Sequence, residues 1–323
     1  MKIVEQSYEI LEQEIPVHKL DDYSGYHFRE QYLENMYKHI ERCGRTCYKS
    51  EDRITPDSSK KFVDGLIKSK HLSVLEHGTI YLYIPVCAYD SDLVYHVKNE
   101  YAKNPYSKTI YVGLDDDEPP YRDILGNPAQ GNMQYAITTN YRVLVENNWL
   151  DDLQYLCQPT EYHELRHTAL LHSCIHVYKD LTRHRPMSFS IESTRYCNYF
   201  KGKFGSELKF VRLPWTKIIP GNYDSSILQK LYDDDVMPIE DINFIASLCS
   251  IEETYMYLIK GKWEPQQAAE ILPQCLAADV IMSGFESDWK HVFNLRSDIA
   301  ATGKPHPLVE QLMTPLRKEM LHE

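Results

Sequence analysis

Between residues 183 and 196 the chain reads RHRPMSFSIESTRY. Arg183, His184 and Arg185 stand in a row, and Ser193 and Arg195 follow within the same short segment. A guanidinium offers a planar fork of donors that suits phosphate and carboxylate oxygens, and it stays charged at any physiological pH. Three consecutive positions at a helix end fan out by about 100° each, so the string can reach ligands on two sides. Ser193 and Arg195 alternate along an extended segment and can share one face. A hydroxyl and backbone amides beside a guanidinium make a phosphate cradle. These residues therefore suggest binding of more than one anion. Surface ion pairs worth roughly 0 to 1 kcal/mol each would account for any single arginine here, but not for the whole string. Ser193 is better suited to hold a ligand than to attack one, because its neighbours Glu192 and Thr194 supply no positioned base.

Other constellations carry less. HELRH, from His163 to His167, fits the zinc-hydrolase spacing in which two imidazoles share a helical face and Glu164 acts as base. That reading needs a helix, whereas the following TALLHSCIH reads as a strand, so polar residues at the head of a strand and no metal are expected. The acidic runs at 115–118 and 233–235 lack the glycine and spaced acceptors of a calcium loop and read as solvated loops. Cys43 and Cys47 lack a second pair for zinc. Neither a glycine-rich dinucleotide fingerprint nor a P-loop is present.

The elements that must position the string follow from periodicity. Phe28, Tyr32, Met36 and Ile40 draw one apolar stripe through a helix from Tyr23 to Cys43, and a second amphipathic helix is expected around Lys60 to Lys70. TIYLYIPV and TALLHSCIH read as strands. The region of about 87–161, rich in acidic residues, proline and glycine, reads as an inserted excursion with some helix around Asn140 to Tyr155. CNYFKGKFGSELKFVRLP reads as a hairpin or strand. Helices are expected from Glu240 to Lys260, from Pro265 to Leu276, and toward Glu323. The expected fold is a mixed α/β (α+β) single domain spanning 1–323, with a central sheet flanked by helices and a largely helical C-terminal third.

Composition bounds the function. The 323 residues suffice for a proper core, and 43% hydrophobic with 25% charged residues is a globular balance. With 35 Lys plus Arg against 47 Asp plus Glu the net charge is -12, which disfavours binding nucleic acid through a basic surface. No apolar run is long enough for a membrane span, and the acidic N-terminal segment is unlike a signal peptide. Eight cysteines without a CxxC pair read as free thiols, so the expected location is the cytoplasm.

The Arg-His-Arg string, seven residues and then Ser193 resemble the signature of the flavin-dependent thymidylate synthases. Three further blocks resemble that family in the same order: SVLEHGTIYLYI with Glu76 and His77, AAEILPQCL with its Leu-Pro, and GFESDWKHVFNLR ending in Leu295 and Arg296. The likeness covers about 25–86 and 165–315; the excursion has no counterpart in shorter family members. The resemblance implies FAD as cofactor and conversion of dUMP to dTMP. Methylenetetrahydrofolate would supply the carbon and NADPH the hydride, in a homotetramer with active sites at subunit interfaces. It implies that His77, Thr79, Arg183, His184, Arg185 and His291 bind FAD. It further implies that Asp180, Arg183, Ile191, Glu192, Ser193, Thr194, Arg195 and Arg296 bind dUMP, with Arg296 polarising the uracil. The Pro-Cys-His segment of the unrelated cysteine-dependent thymidylate synthases is absent. Ala269 stands where the family commonly has an arginine, Asp180 and Ile191 replace residues commonly Gln and Glu or Gln, and Phe285 replaces a frequent Asn. Two alternatives stand beside this reading: a non-catalytic paralogue that binds dUMP or FAD, and a zinc hydrolase built on HELRH.

Overall fold

The computed structural model of the chain describes residues 1–17, 26–87, 90–113, 132–193, 197–200, 206–233 and 236–323. In chain order it runs β1 (Lys2–Val4), β2 (Ser7–Leu11), α1 (Tyr26–Thr46), α2 (Ser58–Lys68), β3 (Thr79–Cys87), α3 (Ser91–Tyr95), β4 (Lys108–Val112), β5 (Asn132–Asn140) and α4 (Tyr141–Asn147). Then follow β6 (Arg166–Cys174), α5 (Ile175–Leu181), β7 (Ser188–Ile191), β8 (Lys209–Val211), β9 (Gly221–Asn222), α6 (Ser225–Asp233), α7 (Ile239–Lys260) and α8 (Pro265–Ala268). The chain closes with β10 (Ala277–Phe285), α9 (Glu286–Arg296) and α10 (Pro307–Met320). The mixed α/β class is as expected. No helix among the described residues is long and apolar enough to cross a membrane.

A four-stranded antiparallel sheet in the order β2–β6–β10–β7 carries the site. One face puts Ala169, Leu171, Val280 and Met282 against Trp289, Phe293 and Leu312 from α9 and α10. The other face puts Leu170 and Ile281 against Cys43 of α1. The α1 stripe is buried at all four expected positions, Phe28, Tyr32, Met36 and Ile40, at roughly 1.5–3 kcal/mol per side chain. It packs on Ile80, Leu82 and Ile137 of a second antiparallel sheet, β3–β5–β4. A third sheet, β8–β1–β9, packs Ile3 and Phe210 with Ile245 and Leu248 of α7.

Several local expectations change. The excursion is partly ordered sheet: β5 pairs with β3 along nine residues, and β4 pairs with β5. Its helix is shorter than expected, because Asn148 adopts φ 61° and ends α4 in the left-handed conformation. The helix from Pro265 stops by residue 271, because Leu272 turns extended before Pro273, which cannot continue a helix. The next residues become β10, an inner strand of the central sheet. Of the expected hairpin after Tyr196, residues 194–196 and 201–205 lie outside the described residues, and β8 pairs in parallel with β1. At the end of β10, a Cβ on Gly284 would lie 2.3 Å from the Met187 sulfur, so glycine there lets the segment after the Arg-His-Arg string rest on the sheet.

Candidate active site

The Arg-His-Arg string occupies the turn between α5 and β7. Val177, Tyr178 and Leu181 bury one side of α5, and Asp180 at its end is partly buried. The helix stops because the Thr182 hydroxyl takes up the Tyr178 carbonyl at 2.8 Å and Pro186 prevents continuation. The His184 amide donates to the Leu181 carbonyl and the Met187 amide to the His184 carbonyl, which fixes the turn.

From the other side comes α9. Trp289 and Phe293 anchor it in the core, and Arg296, three residues beyond Phe293, continues the same face toward α5. Arg296 Nε donates to His184 Nε2 at 3.3 Å, Nη2 to the Asp180 carbonyl at 3.3 Å, and Nη1 lies 3.5 Å from Asp180 Oδ2. A cation on the last carbonyls of α5 also complements that helix end. His184 is buried and accepts from Arg296, so its ring is neutral. Burial first, then the Arg296 charge, pushes its pKa down to about 4. His291 meets His184 edge to face with centroids 5.8 Å apart, and is itself exposed. Arg183 lies 3.5 Å from Asp180 Oδ1 with its side chain 71% exposed, and Arg185 is exposed as well. Six predicted residues (Asp180, Arg183, His184, Arg185, His291 and Arg296) thus share one region. Two of them, Arg296 and His184, meet across 112 positions of sequence.

The remaining predicted residues lie elsewhere. Ser193 and Ile191 line a cavity of about 520 Å³ together with Ser190, Lys70 and Arg142. The Ser193 amide is held by the Cys47 carbonyl at 3.0 Å. Arg142 comes from α4 in the excursion and is clamped between Glu76 and Glu146. Glu192 does not face that cavity. It is buried, accepts from the Tyr199 hydroxyl at 3.0 Å and from the Asp279 amide at 3.1 Å, and pairs with Lys49 at 3.3 Å. Lys49 also pairs with Asp279, which His172 approaches at 2.6 Å. Sequence reasoning missed this Lys49–Asp279–His172 group, for which the only local signal is that three charged residue types fall at separate strand and turn positions. Thr194 and Arg195 lie outside the described residues.

His77 and Thr79 are not brought to the cationic region's surface. His77 has no exposure, and both its ring nitrogens are taken, Nδ1 by Ser283 at 2.7 Å and Nε2 by Ser190 at 2.8 Å. Thr79 is also buried, and its backbone is clasped by the Gln13 side chain, 2.8 Å to the amide and 2.9 Å to the carbonyl. His77 is thus enclosed by residues of its own chain, while Thr79 lines the cavity of about 220 Å³ beside His39. Ala269 lines a further cavity in which Lys179 of α5 is the cation.

HELRH is not helical. His163 sits in a turn, accepting from the Thr160 amide and bonding the Leu82 carbonyl at 3.0 Å. Glu164 accepts from the Ser287 amide at 3.0 Å and so caps the first turn of α9. His167 already belongs to β6.

FAD suits part of this arrangement. Exposed Arg183 and Arg185 have donors that match a diphosphate, whereas His77 and Thr79 are enclosed by this chain's own residues.

Residues 163–320 match the family model described as Thymidylate synthase complementing protein. No curated protein matches the chain. Among solved structures the chain is similar to the UMP/dUMP methylase PolB from Streptomyces cacaoi bound with 5-Br UMP. The two are 19% identical over 49% of this chain and 68% of that one, with a TM-score of 0.36. The same methylase bound with 5-Br dUMP aligns over 99% of this chain and 90% of its own, at 12% identity and a TM-score of 0.37. Thymidylate Synthase X from Helicobacter pylori with FAD and dUMP is 14% identical over 46% of this chain and 64% of that one, with a TM-score of 0.31. Likenesses of this size are partial and say nothing about the chemistry of this chain. The segment that matches the family model, residues 163–320, contains both the Arg-His-Arg string and the arginine that meets it.

Proposed function

We propose that the chain is a flavin-dependent thymidylate synthase that converts dUMP to dTMP, with methylenetetrahydrofolate as carbon donor and NADPH as hydride donor. The observation that carries this reading is the meeting of Arg296 with His184 and Asp180, which joins two family blocks at one place. Arg183 and Arg185 would hold the FAD diphosphate, with His291 beside them. FAD, when bound, supplies the passage of hydride from NADPH. Ser193 and Arg195 would hold dUMP, and Arg296 would stabilise charge developing on the uracil. Three of the Arg296 N–H groups are spent on Asp180 and His184, so its guanidinium is oriented before substrate arrives and two N–H donors remain. A neutral His184 suits this role, since it accepts from Arg296 without opposing its charge.

The domain reading is likewise a proposal: one unit of 323 residues in which about 87–161 is inserted. Its support is that α1 packs on both the central sheet and the sheet to which the excursion contributes. A cytoplasmic homotetramer is part of the same reading, because outward-facing Arg183 and Arg185 suit a site completed by a second copy.

The test is dUMP-dependent NADPH oxidation by protein reconstituted with FAD and methylenetetrahydrofolate, with dTMP identified as product. Binding of FAD and dUMP without turnover would favour the paralogue, for which the replacement of the family arginine by Ala269 is the relevant departure.

A further inference from the structure

His77 has no exposure in this chain, yet its surroundings are not those of an ordinary core residue. Its Nδ1 lies 2.7 Å from the Ser283 hydroxyl and its Nε2 2.8 Å from the Ser190 hydroxyl. Ser283 lies 2.7 Å from the Thr168 hydroxyl, and Thr168 lies 3.3 Å from His39 Nε2. All five side chains are buried, at 7% exposure or less. Thr168 stands opposite Ser283 in the β6–β10 register, and β7 carries Ser190 on the far side of β10. The row therefore crosses three strands in the layer between the central sheet and α1.

Each end reaches a cavity. Ser190 lines the cavity of about 520 Å³ that contains Ser193. Thr168 and His39 line another, of about 220 Å³, with Glu12, Arg166 and His167. Each hydroxyl, and each neutral imidazole, has one proton to give and a lone pair to receive one. The links from Ser190 to Thr168 can therefore be hydrogen-bonded in either direction, and at the far end the His39 ring also donates to the Glu12 backbone carbonyl.

We propose that Ser190, His77, Ser283, Thr168 and His39 form a proton relay that joins the cavity at Ser193 to the cavity at His39. A proton arriving on Ser190 displaces the Ser190 proton to His77 Nε2, and the His77 Nδ1 proton moves to Ser283. Ser283 passes its own proton to Thr168, Thr168 passes its own to His39 Nε2, and His39 releases its other ring proton into the second cavity. One proton enters, one leaves, and only O–H and N–H bonds exchange. Rotation of the hydroxyls and return of both the His77 and the His39 tautomers reset the row. Burial keeps both rings in the neutral form the relay needs, with His39 pushed down to about 4 and His77 to about 3. Its purpose rests on the synthase reading, in which the ring hydrogen replaced by a methyl group departs as a proton. The relay itself is a property of the ligand-free chain and can fail or stand apart from that reading.

The test is exchange of the His77 ring N–H in D2O, followed by NMR on ligand-free protein labelled with 15N-histidine, at several urea concentrations below unfolding. A relay gives exchange at least tenfold faster than whole-chain unfolding, at a rate that urea leaves unchanged. Blocking both sides of His77 with Ser190→Ala and Thr168→Val slows it at least tenfold, whereas Ser190→Thr with Thr168→Ser, which keep the hydroxyls, restores it. A network that only fastens α1 to the sheet gives exchange that accelerates with urea in step with unfolding, and that result overturns the proposal. Should the blocked variant not fold, the urea dependence of the unmodified chain decides alone. Flavin and dUMP binding, measured on the same sample, separates failure of the relay from failure of the synthase reading.

Discussion

His184 and His77 are both held neutral, but their surroundings differ. His184 sits at the edge of an outward-facing cluster, where Arg296 holds its ring and exposed Arg183 and Arg185 stand nearby. His77 lies in the interior with two hydroxyls as its ring partners. Donors left unspent at a surface mark a place built for something that arrives. Polar groups fully satisfied inside mark a place whose partners are already present, where removing one leaves the others unpaired. The two histidines come from blocks that the family resemblance assigns to one flavin site, yet of the two the first stands beside exposed cations and the second does not.

The contrast predicts different consequences of substitution. The largest effect is expected at His77→Ala, which opens a void and leaves Ser190 and Ser283 without their partner. Urea unfolding should show a loss of about 3 to 5 kcal/mol. A loss below about 1 kcal/mol would mean that the interior network carries little.

Next comes Arg296→Ala. Turnover of dUMP should fall by about 100-fold or more, as for loss of a preorganised electrostatic donor, while stability changes less than for His77→Ala. Equal effects on both readouts would erase the distinction between the regions.

Acid should act through the histidines that folding holds neutral, among them the interior pair. The folded values of His39 and His77, about 4 and about 3, lie below their ordinary 6.5. As pH falls below about 6.5 the unfolded chain takes up protons that the folded chain refuses, so stability drops. It should level off only below the folded values. Between pH 7 and pH 5 the expected loss is on the order of 2 kcal/mol for either histidine. The urea midpoint measured at each pH checks it, and His77→Gln should flatten part of the slope.

A smaller effect is expected at Arg183→Ala or Arg185→Ala. FAD affinity should weaken about tenfold, with stability held within roughly 0.5 kcal/mol because both side chains are exposed. Calorimetric titration with FAD and urea unfolding separate the two. Smallest of all is Glu164→Gln. Glutamine can still accept from Ser287, so stability should move by less than about 0.5 kcal/mol and dUMP turnover should persist. Loss of a zinc-dependent hydrolysis in that variant would instead revive the HELRH reading.

How much of this was legible in the sequence varies by element. The α1 stripe was plain, since Phe28, Tyr32, Met36 and Ile40 repeat at helical spacing against one core. Strand β10 was hidden: Val280 to Phe285 are buried on both faces, so the run lacks the alternation that announces a half-exposed strand. The sheet formed by β3, β5 and β4 was hidden because its strands are separated by the acidic, proline-bearing stretch, which drew the whole region toward a loop reading. The Arg-His-Arg string signalled anion binding by itself, but its partnership with Arg296 rests on a contact across 112 residues that no local pattern reveals. For His77 the motif pointed to importance and not to depth. Burial is decided by α1 and β10, which lie far from it in sequence.

The central claim is that the exposed cations beside His184 await a flavin. The most direct measurement is the absorption spectrum of the purified protein, with any bound cofactor released by denaturation and identified, followed by titration with FAD if none is found. Bound FAD, or saturable uptake of FAD that Arg183→Ala weakens, is the predicted result. A colourless protein that takes up no FAD would contradict the account.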